Sequence, residues 1–251
     1  VQRVTSSEPF FEQWQIERAI LVEERTRDVF DRIDTAIGKR EPLHVVLQLL
    51  CLQCQVEGGF KAKQFDHYRR EVIQAYGFEH MFTMYNLEKL GLFYERVSSA
   101  WSSASWGAIR ASLALIEDDP RLDDPDSMAY VTSGYAPLSI RLIEKCLSVG
   151  WPRLEDTMKL LPGPTVQVLQ TPLAASTSEE SKAGPAPPAG GACHLQRRKV
   201  VLVFFIGGVT YVELAALRFL TDKCASPFDF VVATTDVVNG KTLVTSMQDS
   251  L

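Results

Sequence analysis

The chain has 251 residues, 46% of them hydrophobic and 23% charged, with a net charge of −5. That is ordinary globular composition, with enough apolar surface for one large domain or two small ones. The acidic balance argues against a duplex-binding surface, which carries a basic stripe.

Residues 1–116 read as mostly helical. Val29, Phe30, Ile33 and Ile37 mark a first helix. Leu43, Val46, Leu47, Leu50, Cys51 and Cys54 recur at helical spacing and make one apolar stripe. Pro42 suits the first turn of that helix, where a missing N–H costs nothing. Phe65, Tyr68, Val72, Ile73 and Tyr76 repeat the pattern, and Gly77 stands where a left-handed capping residue is expected. A further helix over 79–90 ends at Gly91, and another covers 106–116. Residues 117–126 (EDDPRLDDPD) are acidic and broken by two prolines, hence an exposed loop. A short strand over 130–133 and a helix over 137–147 follow.

Residues 161–198 hold six of the thirteen prolines among Ser, Ala and Gly, and 172–192 cannot bury enough apolar surface to order themselves. The chemistry then changes. Residues 200–206 (VVLVFFI) are continuously apolar, as in a strand covered on both faces. Gly207 and Gly208 make the turn, and Thr210 with Glu213 forms a capping box for a helix over 211–220. A second strand over 228–234 and a last helix from about 241 complete a parallel strand–helix–strand unit. Two parallel strands do not make a stable sheet, so others must flank them. The fold class is α/β: a helical segment followed by an incomplete parallel sheet.

Five cysteines scattered at positions 51, 54, 146, 193 and 224 do not make a disulfide framework, which places the chain in the reducing cytosol. No apolar run approaches the ~20 residues of a membrane span. No signal peptide is visible, and a first residue of Val rather than Met fits a fragment or a processed chain.

Cys51 and Cys54 have metal or redox spacing but lie in a helical stripe, and the pair Cys193–His194 falls in the Pro-rich stretch; core cysteines and no metal are expected. The strand–Gly207–Gly208–helix element is where α/β proteins hold phosphate. It lacks the third glycine of a dinucleotide fingerprint and the Lys-Ser/Thr of a P-loop, so a tight crossover turn is expected, with an α/β nucleotide-binding enzyme as the alternative. The acidic run lacks the glycine and final glutamate of a calcium loop. His44, His67, His80 and His194 have no evident nucleophile beside them, and no catalytic residues are assigned. Residues 86–93 end a helix as a winged-helix recognition helix would, but only Lys89 and Arg96 are basic there, so a nucleic-acid binder is a second alternative of lower standing.

Three stretches carry a resemblance. They are residues 68–80 (YRREVIQAYGFEH) with 86–92 (NLEKLGL), residues 130–142 (YVTSGYAPLSIRL) with 161–164 (LPGP), and residues 203–220 (VFFIGGVTYVELAALRFL) with 233–235 (ATT) and 239–240 (NG). In this order and spacing they resemble the SM (Sec/Munc-like) family of SNARE regulators, in its vacuolar-protein-sorting branch. The resemblance spans the chain except the Pro-rich insert and residues 93–126.

It implies that residues 1–127 are the second half of the family's helical third domain. Residues 128–251 would be the returning segment of its α/β second domain, whose other strands come from earlier in the family's chains. It also implies a non-catalytic role without cofactor or metal: binding and assembling SNARE proteins within the HOPS and CORVET tethering complexes, on endosome, lysosome or vacuole membranes. The surface expected here is the one that docks the tether subunit vacuolar protein sorting-associated protein 16. Arg69, Phe78 and Met81 match the positions that carry that contact. From pattern alone Phe78 and Met81 read as core, because Phe82 and Tyr85 extend their stripe.

Overall fold

A computed structural model describes residues 8–22, 26–96, 106–121, 123–161, 198–223 and 227–248. The expected insert over 172–192, Cys193, His194 and Cys224 lie outside them. Five helices come first: α1 (Glu8–Val22), α2 (Thr26–Gly38), α3 (Leu43–Glu57), α4 (Ala62–Tyr76) and α5 (His80–Lys89). α3 is the central one. Val46, Leu47, Leu49, Leu50 and Cys54 are fully buried on it, so it is covered nearly all round rather than along one stripe. It ends at Gly58 in the left-handed conformation (φ 66°), whose N–H donates to the Gln55 carbonyl.

α1, α2, α4 and α5 surround α3 and share one core with it. An aromatic cluster ties the loops in: Phe60 lies 6.2 Å from Phe30, 5.6 Å from Tyr68 and 5.5 Å from Phe93, ring centre to ring centre. The next helix, α6 (Trp106–Leu113), closes the carbonyl end of α1. Trp106 Nε1 donates to the Leu21 carbonyl at 2.7 Å and Arg110 Nη1 to that of Val22 at 2.6 Å, satisfying acceptors that a helix end leaves open.

Residues 128–132 correct an expectation. Met128–Thr132 is a 3₁₀ turn and not a strand. Ser127 caps its start by accepting from the Ala129 N–H, and Ser133 ends it in the left-handed region (φ 57°). α7 (Leu138–Val149), a second 3₁₀ turn (Trp151–Leu154) and the short α8 (Glu155–Met158) follow. The acidic loop over 117–126 is largely exposed where it is described.

β1 (Lys199–Phe205) and β2 (Phe228–Thr234) pair in parallel, in a register running from Lys199 opposite Phe228 to Phe205 opposite Thr234. α9 (Tyr211–Lys223) connects them and packs its Ala216, Leu217 and Leu220 with Met128, Ala129 and Ile140 beneath one face of the sheet. The other face is bare among the described residues: Val200, Leu202 and Phe204 of β1 and Val231 of β2 are exposed. The expectation that the strands are covered on both faces therefore holds for one face only among the described residues. The last helix, α10 (Gly240–Thr245), returns to the helical part. Its Val244 enters the α3 core, and Asn86 Nδ2 on α5 donates to the Met247 carbonyl at 3.2 Å.

Candidate partner-docking face

The face begins at Gly77. Its φ is 121° with ψ at 158°, a positive but extended conformation and not the left-handed cap expected from the sequence. The Glu79 side chain folds back over the turn beside it, and the positive φ is what favours glycine here. The Gly77 N–H donates to the Ile73 carbonyl, and the Met81 N–H donates to that of Phe78, which carries the chain directly from α4 into α5.

α5 buries Thr83, Met84 and Leu87 against the core. The opposite side is aromatic and open. Phe78 is 69% exposed, Phe82 46% and Tyr85 53%, with Met81 half-buried at their flank. Lys89 Nζ lies 5.1 Å from the centre of the Tyr85 ring, a cation–π contact at the end of the row. Arg69 is exposed on the preceding helix, α4, and Leu90 is exposed just beyond Lys89. Of the residues singled out by sequence, the structure therefore brings Phe78 and Met81 onto one turn and sets Arg69 on the neighbouring helix. The expectation from pattern that this stripe is core is overturned. α5 carries two apolar lines, and Thr83, Met84 and Leu87 are the inner one. Phe82, Tyr85 and Lys89 were the members sequence reasoning missed, and a helical projection of 78–89 would have separated the two lines.

The other candidate sites have structural explanations. Cys51 and Cys54 are buried in the α3 core, and Cys54 Sγ accepts from the Tyr94 N–H at 3.3 Å. Burial pushes the Cys51 thiol up to about 12 and that of Cys54 up to about 11, so both stay protonated at neutral pH. Among the described residues no group of three His, Cys, Asp or Glu is placed to hold a metal ion.

At the glycine turn, the Thr210 N–H donates to Glu213 Oε2 at 2.8 Å and the Glu213 N–H to Thr210 Oγ1 at 3.2 Å. The expected capping box is thus formed. Ser139 Oγ on α7 also donates to Glu213 Oε1. The Glu213 carboxylate thus takes up the Thr210 N–H and hydroxyl at the start of α9. Gly207 and Gly208 both have positive φ, and a Cβ at Gly208 would come within 2.6 Å of Val238 Cγ1, so the glycines serve the turn's own packing.

A model of the Sec1 family matches residues 1–246 of the chain. The vacuolar protein-sorting-associated protein 33 homolog of Arabidopsis thaliana is 40% identical over 247 residues, covering 98% of this chain and 40% of that protein. Vacuolar protein sorting-associated protein 33A of Rattus norvegicus is 36% identical over 249 residues, 99% of this chain and 39% of that protein. Vacuolar protein sorting-associated protein 33 of Schizosaccharomyces pombe is 34% identical over 220 residues, 86% of this chain and 35% of that protein. The chain spans about two fifths of the length of the curated relatives it matches. With the family's pattern running from residue 1 to residue 246 across both the helical part and the strand–helix–strand unit, the chain belongs to the Sec1 family.

Proposed function

We propose that this chain is part of a non-catalytic regulator that binds SNARE proteins and promotes their assembly in vesicle tethering and fusion at endosomes and at lysosomes or the vacuole. Its own share of that work is to dock the tether subunit vacuolar protein sorting-associated protein 16, and through it the HOPS and CORVET complexes. The contact is made by Arg69, Phe78 and Met81. The observation that carries this reading is the solvent-facing aromatic side of α5, continued by Phe78 in the turn before it, the most exposed of these rings. A 10-residue helix that turns aromatic side chains to water has a use for them other than its own core. An aromatic ring, a pliable thioether and an arginine are also the side chains over-represented where binding energy concentrates.

Residues 1–127 then act as the second half of the family's third domain and residues 128–251 as the returning segment of its second. The two-stranded sheet supports this division, because its outer edges ask for further strands and its bare face for a covering layer from elsewhere in the longer protein. The protein works from the cytoplasm as a peripheral component of those membranes; no described helix is long and apolar enough to cross one.

The test is co-purification with the tether subunit. Phe78→Asp or Met81→Lys is expected to abolish retention and Arg69→Asp to weaken it, with thermal unfolding unchanged on the same samples. Variants that stay folded and still bind would place the surface elsewhere.

A further inference from the structure

The residues that follow the carboxyl ends of β1 and β2 open onto a cleft of about 710 Å3, roofed by α1. In open parallel sheets the space beyond those ends is where ligands bind. No residue of α4 or α5 lines the cleft, so it is separate from the docking face. Its walls are largely apolar: Trp14, Leu21 and Val22 come from α1, Leu138 from α7, Val212 from α9 and Val238 from the turn before α10. A volume of this size suits a small organic molecule. The polar groups decide which kind.

An anion is disfavoured. The Thr210 N–H and hydroxyl are taken by the Glu213 carboxylate, which puts negative charge at the helix start that would otherwise attract a phosphate. Glu213 is itself satisfied, because Ser139 Oγ donates to its other oxygen.

Glu17 is placed differently. It lines the cleft from α1, and Gln13 Nε2 donates to it, but no cation pairs with it among the described residues. Arg18, next along the helix, is turned onto the Trp14 ring, 5.8 Å from its centre. Lys241 borders the adjoining cavity and is not among the groups that act on Glu17. A carboxylate held among apolar walls without a counter-charge is stabilised by a ligand that brings one. An acid of the same size would meet two carboxylates, with only Arg18 to receive it.

We infer that this cleft binds a small organic amine, its ammonium against the Glu17 carboxylate and its apolar body between α1 and the residues beyond the strand ends. The ammonium supplies the charge that the cleft lacks, and the apolar walls cover the rest of the molecule.

The experiment titrates phenethylamine into the whole chain at pH 7 by calorimetry, with thermal unfolding of the same samples. Phenethyl alcohol and phenylacetate serve as its neutral and anionic counterparts of similar shape. Phenethylamine is expected to bind saturably and to raise the melting temperature. The alcohol should bind about tenfold or more weakly, as loss of a charge-assisted hydrogen bond does, and phenylacetate should not bind. Glu17→Gln keeps the side chain's shape and should remove the preference for amine over alcohol. Val212→Trp, at a position 40% exposed on the cleft wall, should block both with the fold intact. Equal binding of the three compounds, or a preference for the amine that survives Glu17→Gln, would overturn the role given to Glu17. Binding unchanged in a folded Val212→Trp variant would place the amine elsewhere, and no binding of any compound would overturn the site itself. If Nα-acetyl-lysine amide binds as tightly as phenethylamine, the guest is a peptide side chain and the small-molecule assignment fails.

Discussion

Glu17 is a carboxylate in a poor place for one. It lies on α1 in the wall between two cavities of about 710 and 470 Å³, with Asn239 and Gly240 bordering both. Gln13 Nε2 donates to its Oε1 at 2.9 Å. Burial raises its pKa above the ordinary 4.5, and the Gln13 hydrogen bond offsets only part of that. Between the ordinary and the raised value the folded chain holds a proton that the unfolded chain has released. Stability therefore falls as pH rises through that window, and the cost stays constant above it. Glu17→Gln should raise the melting temperature at pH 7 and leave it near the parent's at pH 4; a lower melting temperature at pH 7 would contradict the account. Nothing in the sequence marks Glu17, because the residues that line the same clefts include Asn239 and Gly240, more than two hundred residues later. Cys51 and Cys54 were legible, since helical spacing alone placed them in the stripe. Phe82 and Tyr85 were not, because hydrophobicity does not say which of two apolar lines on one helix meets the core.

At the scale of elements, periodicity located α2 to α5 and missed α1. The first helix carries Ile20 inward while Phe10 and Phe11 stay exposed, so its apolar residues do not gather into one stripe. Tyr130, Val131 and Thr132 favour strands by type, yet serine caps on either side wind them into a 3₁₀ turn; local hydrogen bonds outweighed side-chain preference. Phe60 shows how the helical part is joined. Fully buried in the short link between α3 and α4, it touches rings from α2, α4 and the segment after α5. Phe60→Ala should cost about 3–5 kcal/mol in urea unfolding, the range for a large buried aromatic. A cost below about 1 kcal/mol would mean the cluster does not hold these helices together. α9 permits a second test. With Glu213 closing its first turn, ATP or GTP should leave the melting temperature unchanged. A nucleotide that bound would add about 2.7 kcal/mol at a hundredfold excess over its dissociation constant. A clear rise would revive a nucleotide site at the glycine turn.

The whole molecule is uneven in how completely it covers itself. The helical part closes around α3, whereas among the described residues the sheet has two strands and one apolar face left open. The run over 200–206 made the strand legible, and the need for neighbours followed from it; those neighbours could not be read, because no other described segment is a strand. An exposed apolar face with unpaired edges invites association. Phe204→Lys should therefore improve the solubility of this chain with a stability change within about 0.5 kcal/mol. If it unfolds the chain instead, Phe204 is packed within this chain and the division at residue 127 is wrong. The aromatic side of α5 is the second opening, and there an interaction is the assigned purpose. The most direct measurement is a calorimetric titration of the tether subunit into the parent chain and into Phe78→Asp, with thermal unfolding of both. The account expects saturable binding by the parent, none by Phe78→Asp, and equal melting temperatures; binding unchanged by the substitution in a folded variant would contradict it.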